Sequence, residues 1–95
     1  MAMIISYNGK IASDLAANKR PRKFPQSLVK AARRKLAMLE AAVELNDLRV
    51  PPANHLEALK GDRKGQHSIR INLQWRVCFI WTDQGPKEVE IVDYH

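Results

Sequence analysis

The sequence predicts an α+β domain in the order β-α-α-β-β-β, with an antiparallel sheet packed against two N-terminal helices. Three observations carry this expectation. The first half holds one apolar stripe at helical spacing. From His67 the hydrophobic period changes to two. Turn signals then divide the second half into three short runs, which reads as a meander with helices on one face.

"MIISY" (residues 3–7) is a short apolar segment and reads as a strand, closed by the turn signal "NGK". Residues 11–18 have helical composition. "NKRPRKFP", punctuated by Pro21 and Pro25, reads as a connection. The strongest helix is expected over residues 25–45. Val29, Ala32, Leu36, Leu39 and Val43 recur there at helical spacing, Leu28 and Leu45 flank them, and alanines fill much of the rest. Asn46 and Asp47 suit its end. "VPPANHLEALKGDRKGQ" reads as loop, stopped by Pro51 and Pro52.

In the meander, His67, Ile69 and Ile71 alternate with Ser68, Arg70 and Asn72. After a turn near Leu73–Gln74, Trp75, Val77, Phe79 and Trp81 alternate with Arg76, Cys78, Ile80 and Thr82. "DQGP" turns the chain again, and Val89 and Ile91 alternate with Glu88 and Glu90 up to Tyr94. The Trp75–Trp81 parity is expected to meet the helix stripe. The opposite parity then carries Arg70, Asn72 and Arg76, unless a bulge flips it.

The 95 residues make one domain, 1–95, with one modest core. Sixteen Lys and Arg stand against ten Asp and Glu, a formal charge of +6 that favours anionic partners. No apolar run is long enough to span a membrane and no signal-peptide pattern opens the chain, so no membrane role is expected. The single Cys78 excludes an internal disulfide and fits a reducing cytoplasm, where it reads as a small core residue. There is no GxxxxGK[ST] or GxGxxG, no CxxC and no evident helix-turn-helix, and His55, His67 and His95 are scattered. No cofactor or metal is expected.

Cations are unevenly spread. Lys60, Arg63, Lys64, Arg70 and Arg76 share residues 60–76 with one acid, Asp62. Cations from a loop and two adjacent strands can converge on one phosphate-holding patch, or remain a solvated sheet face. A second run, residues 19–35, holds eight Lys and Arg and no acid. It reads as the solvated face of a helix and its leader, or as a surface for RNA or an acidic partner.

The ordered series "LE-LKGDR-G--SIRIN-QWR-CF-W", followed by "VEIVDYH", resembles the HigB-like toxins of the RelE superfamily, from bacterial toxin–antitoxin systems. "AARRKLAMLEAAVELNDLRVPPANHLE" is similar to the same family's helix and following loop. The resemblance implies a RelE-like fold and a ribosome-dependent, metal-independent mRNA endonuclease that inhibits translation and growth. It implies a HigA-like helix-turn-helix antitoxin as partner, with operator DNA reached only through that antitoxin. Catalytic roles carry over to Lys60, Arg76, Tyr94 and His95, and to Arg70, although some relatives place that arginine where this chain has Asn72. RNA contacts are expected at Arg63, Lys64 and Asn72.

Residue chemistry agrees with this assignment. Metal-free RNA cleavage needs a base for the 2′-OH, cations for the charge gathering on phosphate, and an acid for the leaving 5′-oxygen. Arg70 and Arg76 suit the middle task. His95 suits proton transfer, because imidazole titrates near neutrality. Lys60 suits gripping phosphate, and Tyr94 suits stacking on a base or orienting the phosphate. In an ideal strand Tyr94 and His95 point to opposite faces, so joint action requires the chain to bend there. The alternative is a non-catalytic module that blocks translation or joins its antitoxin on operator DNA.

Overall fold

In the computed structural model, which describes residues 3–94, the period-two region forms the expected antiparallel strands. They are β1 (Glu57–Ala58), β2 (His67–Arg70), β3 (Trp75–Thr82) and β4 (Gly85–Asp93), hydrogen-bonded in the order β1-β2-β3-β4. The sheet packs against α1 (Lys10–Ala16) and α2 (Val29–Ala41). Ala32, Leu36 and Leu39 of α2 and Ala12 and Leu15 of α1 meet Ile69, Val77, Phe79, Val89 and Ile91 from the sheet, all buried. These are the apolar positions of the two periodicities, now face to face.

The segment 3–7, expected to be a strand, lies along the outer edge of β4 and forms one parallel bridge, Tyr7 to Val89. Ile5 N–H donates to the Pro86 carbonyl at 2.8 Å, and Val89 N–H donates to Ser6 at 3.0 Å. The contact shields the edge of β4 from other chains. It also requires Gly85: at φ +128° a Cβ there would collide with the Met3 backbone.

The long helix differs at both ends from the expected 25–45. A 3-10 turn, Gln26–Leu28, precedes α2, and α2 stops at Ala41. Ala42 is extended, at φ −67° and ψ 135°. The cause is Asp47, whose carboxylate accepts from the Val43 and Glu44 N–H groups at 2.9 and 3.0 Å. A side-chain acceptor three and four residues further on thus competes with helix continuation and opens a new 3-10 turn, Leu45–Arg49. Val43, expected in the stripe, is therefore 66% exposed.

The expected loop 50–66 contains two further 3-10 turns, Pro52–Asn54 and Gly61–Arg63, and β1 between them. Asn54 anchors it. Its side chain has no exposed surface, takes a 2.6 Å hydrogen bond from Lys35 of α2, and donates to the carbonyls of Leu48 (3.1 Å) and Val50 (3.4 Å). On the other side of the core, Phe24 fastens the basic connection to the sheet by an edge-on contact with Trp75, centroids 4.9 Å apart.

Candidate functional site

Strand register sorts the polar side chains. Glu57, Ser68, Cys78 and Glu90 form one row across the four strands, and Arg70, Arg76 and Val92 form the next. By alternation this face is opposite Ile69, Val77 and Ile91, which are buried toward the helices. A bulge interrupts the β3–β4 pairing between Cys78 and Ile80, beyond these rows, so the parity expected for Arg70 and Arg76 stands.

Arg70 and Arg76 are direct cross-strand partners. Like charges directly opposite each other destabilise a sheet unless an anion lies between them. The two are not equivalent. Arg70 is half-buried, whereas Arg76 is only 8% exposed. Arg76 Nε donates to Ser68 Oγ at 2.7 Å, and its Nη2 donates to the His55 carbonyl at 2.8 Å. His55 is in the left-handed region (φ 46°, ψ 56°), which closes the Pro52–Asn54 turn. The exposed carboxylate of Glu57 stands 3.8 Å from Nη2, and the Tyr94 ring lies with its centroid 5.8 Å from the guanidinium carbon. Tyr94 follows the last residue of β4 and donates its backbone N–H to the Gln74 carbonyl.

The loop joining β1 to β2 holds Lys60, Arg63 and Lys64. Lys60 and Lys64 are exposed. Arg63 is drawn back over the sheet, pairing with Glu90 at 3.0 Å and donating to Gln66 at 3.0 Å. The Glu90 hydrogen bond holds the Arg63 guanidinium above its ordinary pKa. Asn72 lies in the β2–β3 turn, where its side-chain oxygen accepts from the N–H groups of Gln74 (2.8 Å) and Trp75 (2.7 Å). It shapes the turn that brings Arg70 opposite Arg76. Cys78 is buried within the first row, and burial pushes its thiol up to about 11. His95 lies outside the described residues.

Arg70, Arg76 and Tyr94 therefore share one face, with the Lys60–Lys64 loop connected to it through the Arg63–Glu90 pair. Sequence reasoning missed Ser68, Glu57, Glu90 and the His55 carbonyl. Ser68 was findable, because it sits two residues before Arg70 and so on the same strand face. The His55 carbonyl was not, because its position follows from the left-handed turn. Among the described residues, no three His, Cys, Asp or Glu side chains gather as metal ligands do.

A family model described as the RelE-like toxin of the type II toxin–antitoxin system HigB matches residues 12–95. The chain belongs to the HigB-like toxin family. It is 48% identical to Toxin HigB-1 of Vibrio cholerae serotype O1 over 66 residues, 70% of each chain. It is also 47% identical, over 57 residues, to a Haemophilus influenzae protein named only as uncharacterized; the match covers 60% of this chain and 56% of that protein. As a HigB-like toxin of a type II system, the protein has an antitoxin as its partner. The α+β layering described above is that of the RelE-like toxins. No helix among the described residues of this HigB-like chain is long and apolar enough to cross a membrane.

Proposed function

We propose that this toxin is a metal-independent endoribonuclease that cuts translated mRNA on the ribosome, and that the polar sheet face around Arg76 is its cleavage site. The observation that supports this most is the Arg70–Arg76 cross-strand pair, with one guanidinium fixed in place and an aromatic ring beside it. A sheet keeps two opposed cations at a cost, and a bound phosphate relieves it.

Residue chemistry, together with the positions of the described residues, supports the following roles. Arg76 and Arg70 stabilise the phosphate as negative charge builds on it. Tyr94 stacks on a base or steadies the phosphate. The exposed Lys60 and Lys64 grip the RNA backbone from the hairpin loop, while Arg63, through Glu90, holds that loop over the sheet. Asn72 contributes by setting the turn and can offer its amide to RNA. His95 transfers the proton to or from the reacting oxygens. The antitoxin is a HigA-like helix-turn-helix protein that brings the toxin to operator DNA, and the toxin works in the cytoplasm.

The test is 5′-end mapping of a translated message after brief induction, comparing wild type with Arg76→Ala and His95→Gln. Discrete cuts within the reading frame, lost in both variants, are expected. Stalled ribosomes without new 5′ ends would replace this reading with that of a non-catalytic binding module.

A further inference from the structure

Ser68 has no exposed surface, yet it carries a hydroxyl on the polar face of β2. Burying a hydroxyl is unfavourable unless it is hydrogen-bonded, and the bond it makes is to Arg76 Nε at 2.7 Å. The second anchor is the His55 carbonyl on Nη2 at 2.8 Å. Nε–H and one Nη2–H point the same way along one edge of a guanidinium group. The Ser68 hydroxyl and the His55 carbonyl thus take up Nε–H and one of the two Nη2–H groups. The rest of the guanidinium fork, Nη1 and the second Nη2–H, donates to no protein oxygen at hydrogen-bond length among the described residues. The nearest carboxylate, Glu57, stands 3.8 Å from Nη2 and is itself largely exposed.

We infer that Ser68 is a positioning residue for the cleavage site: it holds Nε of the Arg76 guanidinium so that the remaining N–H groups of the fork are presented to two oxygens of the scissile phosphate. This rests on the nuclease reading given above. Two parallel N–H donors match two phosphate oxygens, but only if the planar group cannot rotate about its long side chain. The Tyr94 ring lies with its centroid 5.8 Å from the guanidinium carbon, and Ser68 with the His55 carbonyl fixes the group's rotation. Ser68 acts through Arg76 and need not touch RNA. Its pairing with Glu57 of β1 also places that exposed carboxylate beside the fork, where an incoming phosphate would displace it.

A double-mutant cycle on the full-length toxin tests this, using the first-order cleavage rate on saturating programmed ribosomes, the half-saturating ribosome concentration and the melting temperature. Ser68→Ala, and the closer steric match Ser68→Cys, are expected to cut about 10- to 100-fold more slowly, with half-saturation unchanged. Ser68→Thr, which keeps the oxygen, is expected to restore most of the rate. Arg76→Lys keeps the charge and lacks the Nε–H, so adding Ser68→Cys to it should cost nothing further. An equal loss in the Arg76→Lys background would overturn the inference, since Ser68 would then act independently of the guanidinium. Wild-type cleavage by a folded Ser68→Cys protein with a lowered melting temperature would leave Ser68 a purely structural role and overturn it too. If Arg76→Lys and Arg76→Ala both cut at the wild-type rate, it is the placement of the cleavage site that fails.

Discussion

Arg76 on the sheet and Arg34 on α2 carry the same guanidinium group under opposite conditions. Arg76 is buried to 8% exposure and held by Ser68, the His55 carbonyl and the Tyr94 ring. Arg34 is exposed, as are Lys19, Arg20, Arg22, Lys23 and Lys30 of the same basic run, and neither it nor Lys30 hydrogen-bonds through its side chain to another described residue. A cation held in one geometry has already lost its rotational freedom and part of its hydration, so it can meet charge that develops in a transition state without reorganising. A free surface cation acts over a Debye length, attracts anionic partners and is screened by salt. The toxin therefore separates a fixed cation on its sheet from an exposed cationic coat on α2 and the connection before it.

The sharpest way to break this contrast is Arg76→Ala. Loss of one preorganised donor lowers the single-turnover cleavage rate by about 100-fold or more. Ribosome affinity should change far less, because the free cations remain. An affinity loss as large as the rate loss would mean that Arg76 only docks the substrate.

The fixity of Arg76 also depends on residues outside the sheet face. Asn54 ties the turn that ends at His55 to Lys35 of α2 and to the Leu48 and Val50 carbonyls. Asn54→Ala strands those groups in a buried place and should cost about 2–4 kcal/mol in urea unfolding. It should also slow cleavage at temperatures where the variant is still folded, since the His55 carbonyl is one of the two anchors of Arg76. Destabilisation with an unchanged cleavage rate would show that the turn and the guanidinium are not coupled.

Burial on the sheet face has a pH signature. Cys78 shares this face, and burial raises its thiol from 9.0 to about 11. The native protein keeps this proton over a range in which the unfolded chain gives it up. Stability is therefore intact below about pH 9 and falls as pH rises toward about 11. Tyr7, also raised by burial and next by Glu40, adds to the loss at the alkaline end. Cys78→Ala should make the fall shallower in alkaline unfolding followed by circular dichroism. Superimposable slopes for the two proteins would remove the thiol as the cause.

The two regions also differ in how far the sequence reveals them. Alternation from His67 onward is enough to place Arg70 and Arg76 on the non-helical face, because each strand buries its other face and the bulge falls beyond them. The Leu73–Gln74 turn is legible from its position between two alternating runs, although the acceptor role of Asn72 is not. The stripe of α2 is legible through Leu39, but its end is not, since it depends on a carboxylate at Asp47 reaching back to Val43. Strand β1 is two residues long and shows no period at all. The anchoring of Arg76 lies furthest from view. It is made by a hydroxyl from a neighbouring strand and a carbonyl 21 positions away, and neither contact exists until the sheet and the 50–66 segment have folded together.

The smallest expected effect concerns the helix coat. Lys30 and Arg34 are exposed on α2, so the double change Lys30→Gln with Arg34→Gln removes charge without breaking a hydrogen bond to another described residue. Unfolding stability should move by no more than about 0.5 kcal/mol. The cleavage rate at saturating ribosomes should also hold, because Arg70 and Arg76 are untouched. If these side chains meet RNA phosphates, each one lost reduces the salt dependence of binding, the slope of log affinity against log salt falling by roughly 0.7–0.9 per contact. Measured between low and physiological salt, the variant should bind more weakly at low salt and converge on wild type as salt rises. An unchanged slope together with weaker antitoxin binding would assign the coat to the protein partner instead. A fall in the saturated cleavage rate would abolish the contrast itself, since an exposed helix cation would then be serving the chemistry.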